Sequence, residues 1–255
     1  MYVTPNPRQQ RLLDQVRTRH HASVDALANL LDVTTQTVRR DVKVLVEARL
    51  LTRYHGGVSL PSSIENIAYA QRQGMNADGK RRIAQCVAER VPEGSSLILN
   101  IGTTTEAVAR AMLPKRGLRI VTNNLNVAAI LSDNPHCEVI VAGGIVRSRD
   151  RGIVGEATID FIGQFNVDIG VIGISGIDGD GSLRDFDYRE VKVAHTIIEH
   201  SRQIWLAADH SKFNREAMVR LAHFDQIDVL FTDQPVPASF VPILREANVE
   251  VVVAA

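Results

Sequence analysis

The sequence has few cysteines and few aromatic residues. Among 255 residues there are two cysteines, Cys86 and Cys137, and aromatic side chains make up 5%. Two cysteines cannot build a disulfide framework or a cysteine-based metal cluster, so we expect a reducing compartment and no bound metal. No apolar run approaches the roughly 18 residues of a membrane span, and the first residues lack the apolar core of a signal peptide. We therefore expect a cytoplasmic protein that binds no membrane.

The chain also has no net charge, because 29 Lys and Arg balance 29 Asp and Glu. The balance is not uniform: residues 1–60 contain nine Lys and Arg against five Asp and Glu, and the remaining residues contain 20 against 24. A basic first part on an acidic body is typical of a protein in which one part contacts nucleic-acid phosphates. Chance is the alternative interpretation of so small an excess.

The first sixty residues predict a winged helix-turn-helix. Leu12, Leu13 and Val16 have helical spacing, Ser23 can cap a short second helix, and Thr34 or Thr35 can cap a third helix that runs to about Arg49. The segment 51–60, with Gly56-Gly57 at its centre, is typical of a β-hairpin. We predict a DNA-binding domain over 1–60, a linker over 61–77 and a second domain over 78–255.

The third helix carries the chemistry for reading DNA. At 100° per residue, Val38, Val42 and Leu45 form an apolar stripe, and Gln36, Arg40 and Lys43 lie opposite. Arg and Gln can each bond two atoms of one base in the major groove, and Lys neutralises phosphate. Asp41 is expected to orient Arg40 or Lys43. The predicted DNA-binding residues are Ser23, Thr35, Gln36, Thr37, Arg39, Arg40, Lys43, Arg53, Tyr54 and His55.

Each of these residues has a simpler interpretation. A charged helix face is most often just a solvated face, and Tyr54 could be a hydrophobic plug behind the hairpin. The preceding short helix, the turn and the basic hairpin favour DNA binding over the solvated face.

The second domain alternates short apolar runs with helical patterns, which indicates an α/β fold with a largely parallel sheet. The predicted strands are Ser96–Ile101, Leu118–Val121, Glu138–Ala142, Asp168–Ile174, Gln203–Ala208, Val229–Thr232 and Val249–Val253, and Trp205 is expected in the core. Ligands of such sheets bind at the carboxyl ends of the strands.

Polar and glycine residues follow these strands and predict a small anion site. Gly102 begins a helix whose N–H groups and threonines can hold a phosphate, but neither a Walker loop nor a dinucleotide fingerprint is present. We expect a small phosphorylated effector and no cofactor. The predicted effector-binding residues are Gly102, Thr103, Thr104, Thr105, Asn123, Gly143, Gly144, Arg147, Asp178, Glu190, Lys192 and Lys212.

Some of these assignments leave alternatives open. Thr103, Thr104 and Thr105 could be spare threonines at an ordinary capped helix. Asp178 could cap a turn, and Lys212 could be a surface lysine. Glu190 and Lys192 are two residues apart on a helix, so at most one of them points directly into the site.

The motifs Thr34-Thr-Gln-Thr-Val-Arg-Arg-Asp-Val42 and Arg53-Tyr-His-Gly-Gly57 resemble the DNA-binding domain of DeoR-type bacterial transcriptional regulators. Residues 78–255 are similar to the effector domain of that family, whose fold is like that of ribose-5-phosphate isomerase. The resemblance implies phosphate and hydroxyl binding through Gly102–Thr105, Asp178, Glu190 and Lys212. Asn100–Ala109 and Phe186–Val191 resemble the branch that represses glycerol-metabolism genes, which implies glycerol 3-phosphate or a related sugar phosphate as the effector.

Three functions are therefore weighed. The first is a repressor, a homo-oligomer on double-stranded operator DNA that a phosphorylated metabolite releases. The second is a sugar-phosphate isomerase with a DNA-binding head, and the third is a constitutive DNA binder. Glycerol 3-phosphate has no carbonyl to acidify a neighbouring C–H, so isomerising it makes no chemical sense. We expect a regulator and not an enzyme.

Overall fold

The computed structural model of the protein describes residues 5–19, 21–48, 50–54, 57–59 and 69–254. The chain divides into two compact units, Met1–Glu65 and Asn66–Ala255. No helix in these described ranges combines the length and the apolar character that crossing a membrane requires.

The first unit is a small helical domain with a three-stranded antiparallel sheet. Its helices are α1 (Pro7–Arg19), α2 (Val24–Leu31) and α3 (Thr35–Glu47), and its strands are β1 (His21–Ser23), β2 (Thr52–Tyr54) and β3 (Gly57–Ser59). The sheet order is β1-β3-β2. All three helices contribute to one core, which includes Leu12, Leu27, Val38 and Leu45. The predicted three helices and hairpin are present, and the strand β1 was not predicted.

Asp41 fastens α3 to α1 inside this unit. Its carboxylate is buried and accepts hydrogen bonds from Arg8 Nε at 2.6 Å and from Gln9 Nε2 at 3.0 Å. Burial alone would raise the pKa of Asp41, but the bonds from Arg8 and Gln9 outweigh it and hold the pKa below its usual value. The expectation that Asp41 orients Arg40 or Lys43 is therefore corrected, since its hydrogen bonds run to α1.

The second unit is built on a parallel sheet. Its helices are α4 (Tyr69–Gly74), α5 (Ala77–Arg90), α6 (Thr103–Ala111), α7 (Leu125–Leu131), α8 (Glu156–Ile162), α9 (Tyr188–Glu199) and α10 (Val241–Glu246). Within residues 69–254, seven strands pair in parallel: β4 (Ser96–Leu99), β5 (Leu118–Thr122), β6 (Cys137–Val141), β9 (Val167–Ile172), β12 (Ser201–Ala207), β14 (Val229–Thr232) and β15 (Glu250–Val253). These are the seven predicted strands, with ends displaced by at most two residues.

Short strands flank the main sheet. They are β7 (Ile145–Val146), β8 (Ile153–Val154), β10 (Gly176–Ile177), β11 (Ser182–Asp185) and β13 (Val219–His223). The strands β7 and β8 form a hairpin, and β10, β11 and β13 form a separate antiparallel sheet. Both groups lie in connections that follow the main strands β6, β9 and β12, so they extend the end of the sheet where the polar loops gather.

The sheet is covered on both faces because successive residues of a strand point to opposite sides. On β4, Leu97 and Leu99 join a core with Val87 of α5 and Val108 of α6. Ile98, between them, joins the second core with residues of α8 and α9. Trp205 is 2% exposed, as predicted for a core residue.

The strand order is β15-β14-β12-β9-β4-β5-β6. The chain moves from β4 toward β6 and then returns to the other side of β4 at β9. Such a reversal sends the connections after β4 and β9 to opposite faces of the sheet, and ligands of open α/β sheets bind at such a position.

Residues 69–77, predicted as part of the linker, lie in the second unit. They form α4 and the start of α5, and Tyr69 Oη donates a hydrogen bond to Glu106 Oε2 at 2.7 Å. The remainder of the predicted linker, residues 61–68, lies outside the described residues.

We expect Asp41→Asn to lower the local stability of α3 by about 1–2 kcal/mol, because a charge-assisted pair with Arg8 is lost. The readout is amide hydrogen exchange at Val38, Val42 and Leu45, since Trp205 reports only on the second unit. The control is Glu47→Gln, which breaks an exposed 3.9 Å pair with Lys43 and should cost less than about 0.5 kcal/mol. Equal protection in both variants would contradict the fastening role.

Candidate effector site and DNA-binding surface

The third helix presents the predicted recognition face. Thr34 caps α3, its Oγ1 accepting a hydrogen bond from the Thr37 N–H at 3.2 Å. The apolar stripe Val38, Val42 and Leu45 is buried, and Gln36, Arg39, Arg40 and Lys43 are exposed, while Thr35 and Thr37 are half-buried. The helix therefore keeps its base-reading chemistry available while its opposite side anchors it in the core.

The remaining predicted DNA-binding residues lie on neighbouring elements. Ser23 caps α2, its Oγ accepting from the Ala26 N–H at 3.1 Å, as the sequence predicted. Arg53 and Tyr54 lie in β2, which pairs with β3 through Tyr54 and Gly57. His55 lies outside the described residues, so its predicted DNA contact stays a prediction.

The loop after β4 is shaped around Gly102. This glycine has φ +153°, a conformation that residues with a Cβ rarely adopt, and it precedes α6. Thr105 is fully buried, and its hydroxyl lies 2.8 Å from both the Asn100 and the Gly102 carbonyls. The single proton of Thr105 is used to hold the loop, which leaves Thr103, Thr104 and the helix N–H groups for a ligand.

A cluster of cations lies at the same end of the sheet. Burial lowers the pKa of Lys212 to about 8, and the positive charges of Arg215, Lys80 and Arg72 lower it further, against the opposing effect of Asp209. Lys80 is 5% exposed and donates to the Arg72 carbonyl. Positive groups that are partly desolvated and repel one another favour binding of an anion, because the anion stabilises their charged forms. We call Arg72, Lys80, Lys212 and Arg215 the cation cluster.

Arg147, predicted as a free donor to phosphate, is already paired. It is buried and lies 2.7 Å from Asp150, 3.2 Å from Asp187 and 2.8 Å from Glu190. These carboxylates raise the pKa of Arg147 despite its burial. Its guanidinium therefore ties the loop after β6 to the start of α9, and we correct its expected role from ligand donor to frame.

The structure separates Glu190 from Lys192. Glu190 faces Arg147, whereas Lys192 is exposed and pairs with Glu156 at 3.0 Å. Asp178 lies in the turn between β10 and β11, accepts from the Gly179 N–H and pairs with Arg184 at 2.9 Å. The geometry thus brings Glu190 to Arg147, and for Lys192 and Asp178 it fits the simpler interpretations.

Asn123, Gly143 and Gly144 follow β5 and β6 as predicted. Asn123 is fully buried, its Nδ2 donates to the Ile153 carbonyl at 3.1 Å, and its Oδ1 has no hydrogen-bond donor. A buried acceptor without a donor is costly unless a ligand or water satisfies it. Gly144 has φ +142°, and a Cβ there would meet Thr158 Oγ1, so the turn needs glycine.

Sequence reasoning missed Arg72, Lys80 and Arg215. Arg72 was assigned to the linker, and no motif marks Lys80 or Arg215, which lie 135 residues apart in the chain. Lys212, predicted because it follows the strand Gln203–Ala208, was the signal that did lead to the cluster. Within the described ranges, no three His, Cys, Asp or Glu side chains gather so that they could hold a metal ion.

This chain joins a helix-turn-helix unit to an α/β unit that carries the cation cluster. That combination defines the class of DNA-binding regulators with a sensor domain in the same chain. Two family models match: the DeoR-like helix-turn-helix domain over residues 8–64 and the DeoR C terminal sensor domain over residues 75–234. The chain belongs to the DeoR family of transcriptional regulators. The predicted fold class and family are thereby confirmed.

Relatives match nearly the whole chain. The glycerol-3-phosphate regulon repressor of Escherichia coli (strain K12) is 47% identical over 95% of this chain and 96% of its own length. The repressor of the same name from Haemophilus influenzae is 48% identical over 96% and 95%. Among solved structures, ribose 5-phosphate isomerase A from Methanocaldococcus jannaschii matches 54% of this chain and 55% of its own, with a TM-score of 0.41 and 13% identity.

Glu190 makes stability depend on pH. Burial and the charge of Asp185 raise the pKa of Glu190 to about 7, although Arg147 opposes them. The folded protein then binds a proton that the unfolded chain has released, so stability falls as pH rises from the ordinary glutamate range through 7.

We expect Glu190→Gln to remove this fall, which amounts to the order of 3 kcal/mol between pH 5 and pH 8. The measurement is urea unfolding of the second unit, followed by Trp205 fluorescence at several pH values. Glu199→Gln, an exposed change on the same helix, is the control and should keep the wild-type slope. A wild-type slope in Glu190→Gln would show that Glu190 is ionised throughout this range.

Proposed function

We propose that this chain represses genes of glycerol 3-phosphate metabolism and leaves its operator when glycerol 3-phosphate, or a closely related sugar phosphate, fills the crevice of the second unit. The observation that carries the proposal is the cation cluster at the carboxyl ends of the parallel strands. Two relatives, at 47% and 48% identity, are glycerol-3-phosphate regulon repressors, which supports the choice of metabolite.

The chemistry of the crevice fits a phosphate at one end of a small polyol. A phosphate dianion would relieve the repulsion among Lys212, Lys80, Arg72 and Arg215, and a cation pays less desolvation once an anion is bound. The unsatisfied Oδ1 of Asn123 offers an acceptor to a ligand hydroxyl. The N–H groups at the start of α6 add donors for the anion.

The relatives support sensing without chemical conversion. In the buried frame, Arg147 lies among the carboxylates of Asp150, Asp187 and Glu190, and Arg149 and Arg189 add positive charge at Asp187. Hydrogen bonds from Arg189 and the charge of Arg147 lower the pKa of Asp187 to about 2 against the effect of burial. The named relatives are repressors, and a non-enzymatic regulator is accordingly our assignment.

DNA recognition is assigned to α3. We assign base reading to Arg40 and Gln36 and phosphate contact to Lys43, since all three are exposed on the side away from the core. Repressors of this kind usually bind repeated half-sites as symmetric oligomers. A homo-oligomer and a cytoplasmic location remain predictions.

We expect Arg40→Ala to weaken binding by about 1–3 kcal/mol and to relax preference at one base pair, if Arg40 reads guanine. Lys43→Ala should instead weaken all sequences equally and reduce the salt slope by about one. Both are measured by fluorescence anisotropy on duplexes selected in vitro by the wild-type protein and on single-base variants of them. Uniform weakening in Arg40→Ala would move this residue to the phosphate-contacting group.

Lys212→Met should abolish release from DNA by glycerol 3-phosphate. The change removes a buried positive charge of the cation cluster that the phosphate is proposed to neutralise. The measurement is the ratio of DNA dissociation constants with and without the metabolite. Lys192→Met is the matched control, since Lys192 is exposed beside Glu156 and should keep the wild-type ratio. Normal release of Lys212→Met would refute the placement of the anion, and failure of Lys192→Met would restore that residue to the site.

A further inference from the structure

The six-residue helix α4 is fastened to the effector crevice by Tyr69. The Tyr69 hydroxyl donates to Glu106 Oε2 at 2.7 Å and accepts from Asn126 Nδ2 at 2.9 Å. Glu106 lies in the first turn of α6, directly after the loop of Gly102, and is 2% exposed. The pKa of Tyr69 is raised by burial and by this carboxylate. One hydroxyl therefore joins α4 to the helix that begins at the anion site.

Arg72 extends from the same helix into the cation cluster. Its guanidinium lies 3.5 Å from Asp150, and its Nε is buried without any hydrogen-bond acceptor. Its charge acts on Lys80, Lys212 and Arg215, since it lowers the pKa of each. Arg72 is thus incompletely satisfied and lies among groups that favour an anion.

Asp150 does not depend on Arg72. Arg147 donates to both carboxylate oxygens of Asp150, from Nε at 3.1 Å and from Nη2 at 2.7 Å. The Gly152 N–H donates to it as well, at 3.2 Å. Because Asp150 stays neutralised and hydrogen-bonded, Arg72 can exchange its long contact there for a shorter one to a bound anion at little cost.

We propose that Arg72 is an additional effector-binding residue, and that α4 transmits occupation of the crevice to the chain segment leading to the DNA-binding unit. The inference rests on the proposed function, because it names the residue through which the same site acts. In the sequence, only residues 60–68 separate β3 of the first unit from α4.

The change of partner at Arg72, from Asp150 to a bound anion, provides the difference in interaction between two states that a switch requires. A ligand shifts a conformational equilibrium only by the difference in its affinity for the two states. With no anion bound, Arg72 faces Asp150; with an anion bound, Arg72 faces the anion. The Tyr69 hydroxyl keeps α4 attached to α6 and Asn126, so that the change at Arg72 is passed on through α4. Arg72 therefore contributes to effector affinity and to coupling, whereas Tyr69 contributes to coupling alone.

The test uses the full chain, glycerol 3-phosphate as probe and a duplex selected in vitro by the wild-type protein. Effector affinity is measured by calorimetry, and coupling is the ratio of DNA dissociation constants with and without saturating probe. The variants are Arg72→Gln, Arg72→Lys and Tyr69→Phe. The matched controls are Arg81→Gln and Tyr188→Phe, whose side chains are exposed.

We expect Arg72→Gln to bind the probe at least about tenfold more weakly and Arg72→Lys to recover part of this affinity. Tyr69→Phe should bind the probe within about twofold of wild type. Its coupling ratio should nevertheless fall by at least about fivefold, the lower end of typical allosteric couplings. Both controls should keep wild-type affinity and coupling.

The outcomes separate this inference from the function on which it rests. If neither glycerol 3-phosphate nor a panel of sugar phosphates releases wild type from DNA, the proposed function fails. If wild type is released and both Arg72→Gln and Tyr69→Phe are released by the same factor, the role of α4 is overturned. Circular dichroism identifies a misfolded Arg72→Gln, in which case Arg72→Lys and Tyr69→Phe decide the question.

Discussion

Burial of several positive charges at one end of the sheet is the constraint behind the anion site that we propose. Strands that all run in parallel end at the same edge, so their loops and the helices beside them bring Lys80, Lys212 and Arg215 together. The fold holds these groups in an unfavourable arrangement that the surrounding core stabilises. In the function that we propose, binding of an anion would return that energy, so that a stable domain keeps a site prepared for its ligand.

Two arginines at the same edge illustrate how local charge decides a role. Arg147 is surrounded by Asp150, Asp187 and Glu190 and is neutralised, so it serves as a frame between the loop after β6 and α9. Arg72 has one long contact, to Asp150, and a buried Nε without an acceptor. The residue type is identical, and the number of carboxylates within reach determines which of them is available to a ligand.

In the DNA-binding unit, one helix combines a structural face and a face for recognition. The buried stripe of α3 and the pair between Asp41 and Arg8 hold the helix against its neighbours. The opposite face, with Gln36 and Arg40, is then presented on a rigid support, which base recognition requires. Since α4 follows the DNA-binding unit closely in sequence, a signal from the crevice has a short covalent route toward that support.

Local pattern was sufficient for the seven parallel strands, the caps at Ser23 and Thr34, and the exposed face of α3, because strand and helix periodicity is written in neighbouring residues. The family followed from the resemblance of the motifs Thr34–Val42 and Arg53–Gly57. Side-chain pairing could not be read in this way. Arg147 meets Asp187 across 40 residues, and Asn76 meets Asp233 across 157, so no local pattern records which charges are neutralised. For the same reason Lys212 kept two interpretations and residues 69–77 were taken for a linker. Their places were settled by long-range packing, which brings distant segments within hydrogen-bond distance only after the sheet has formed.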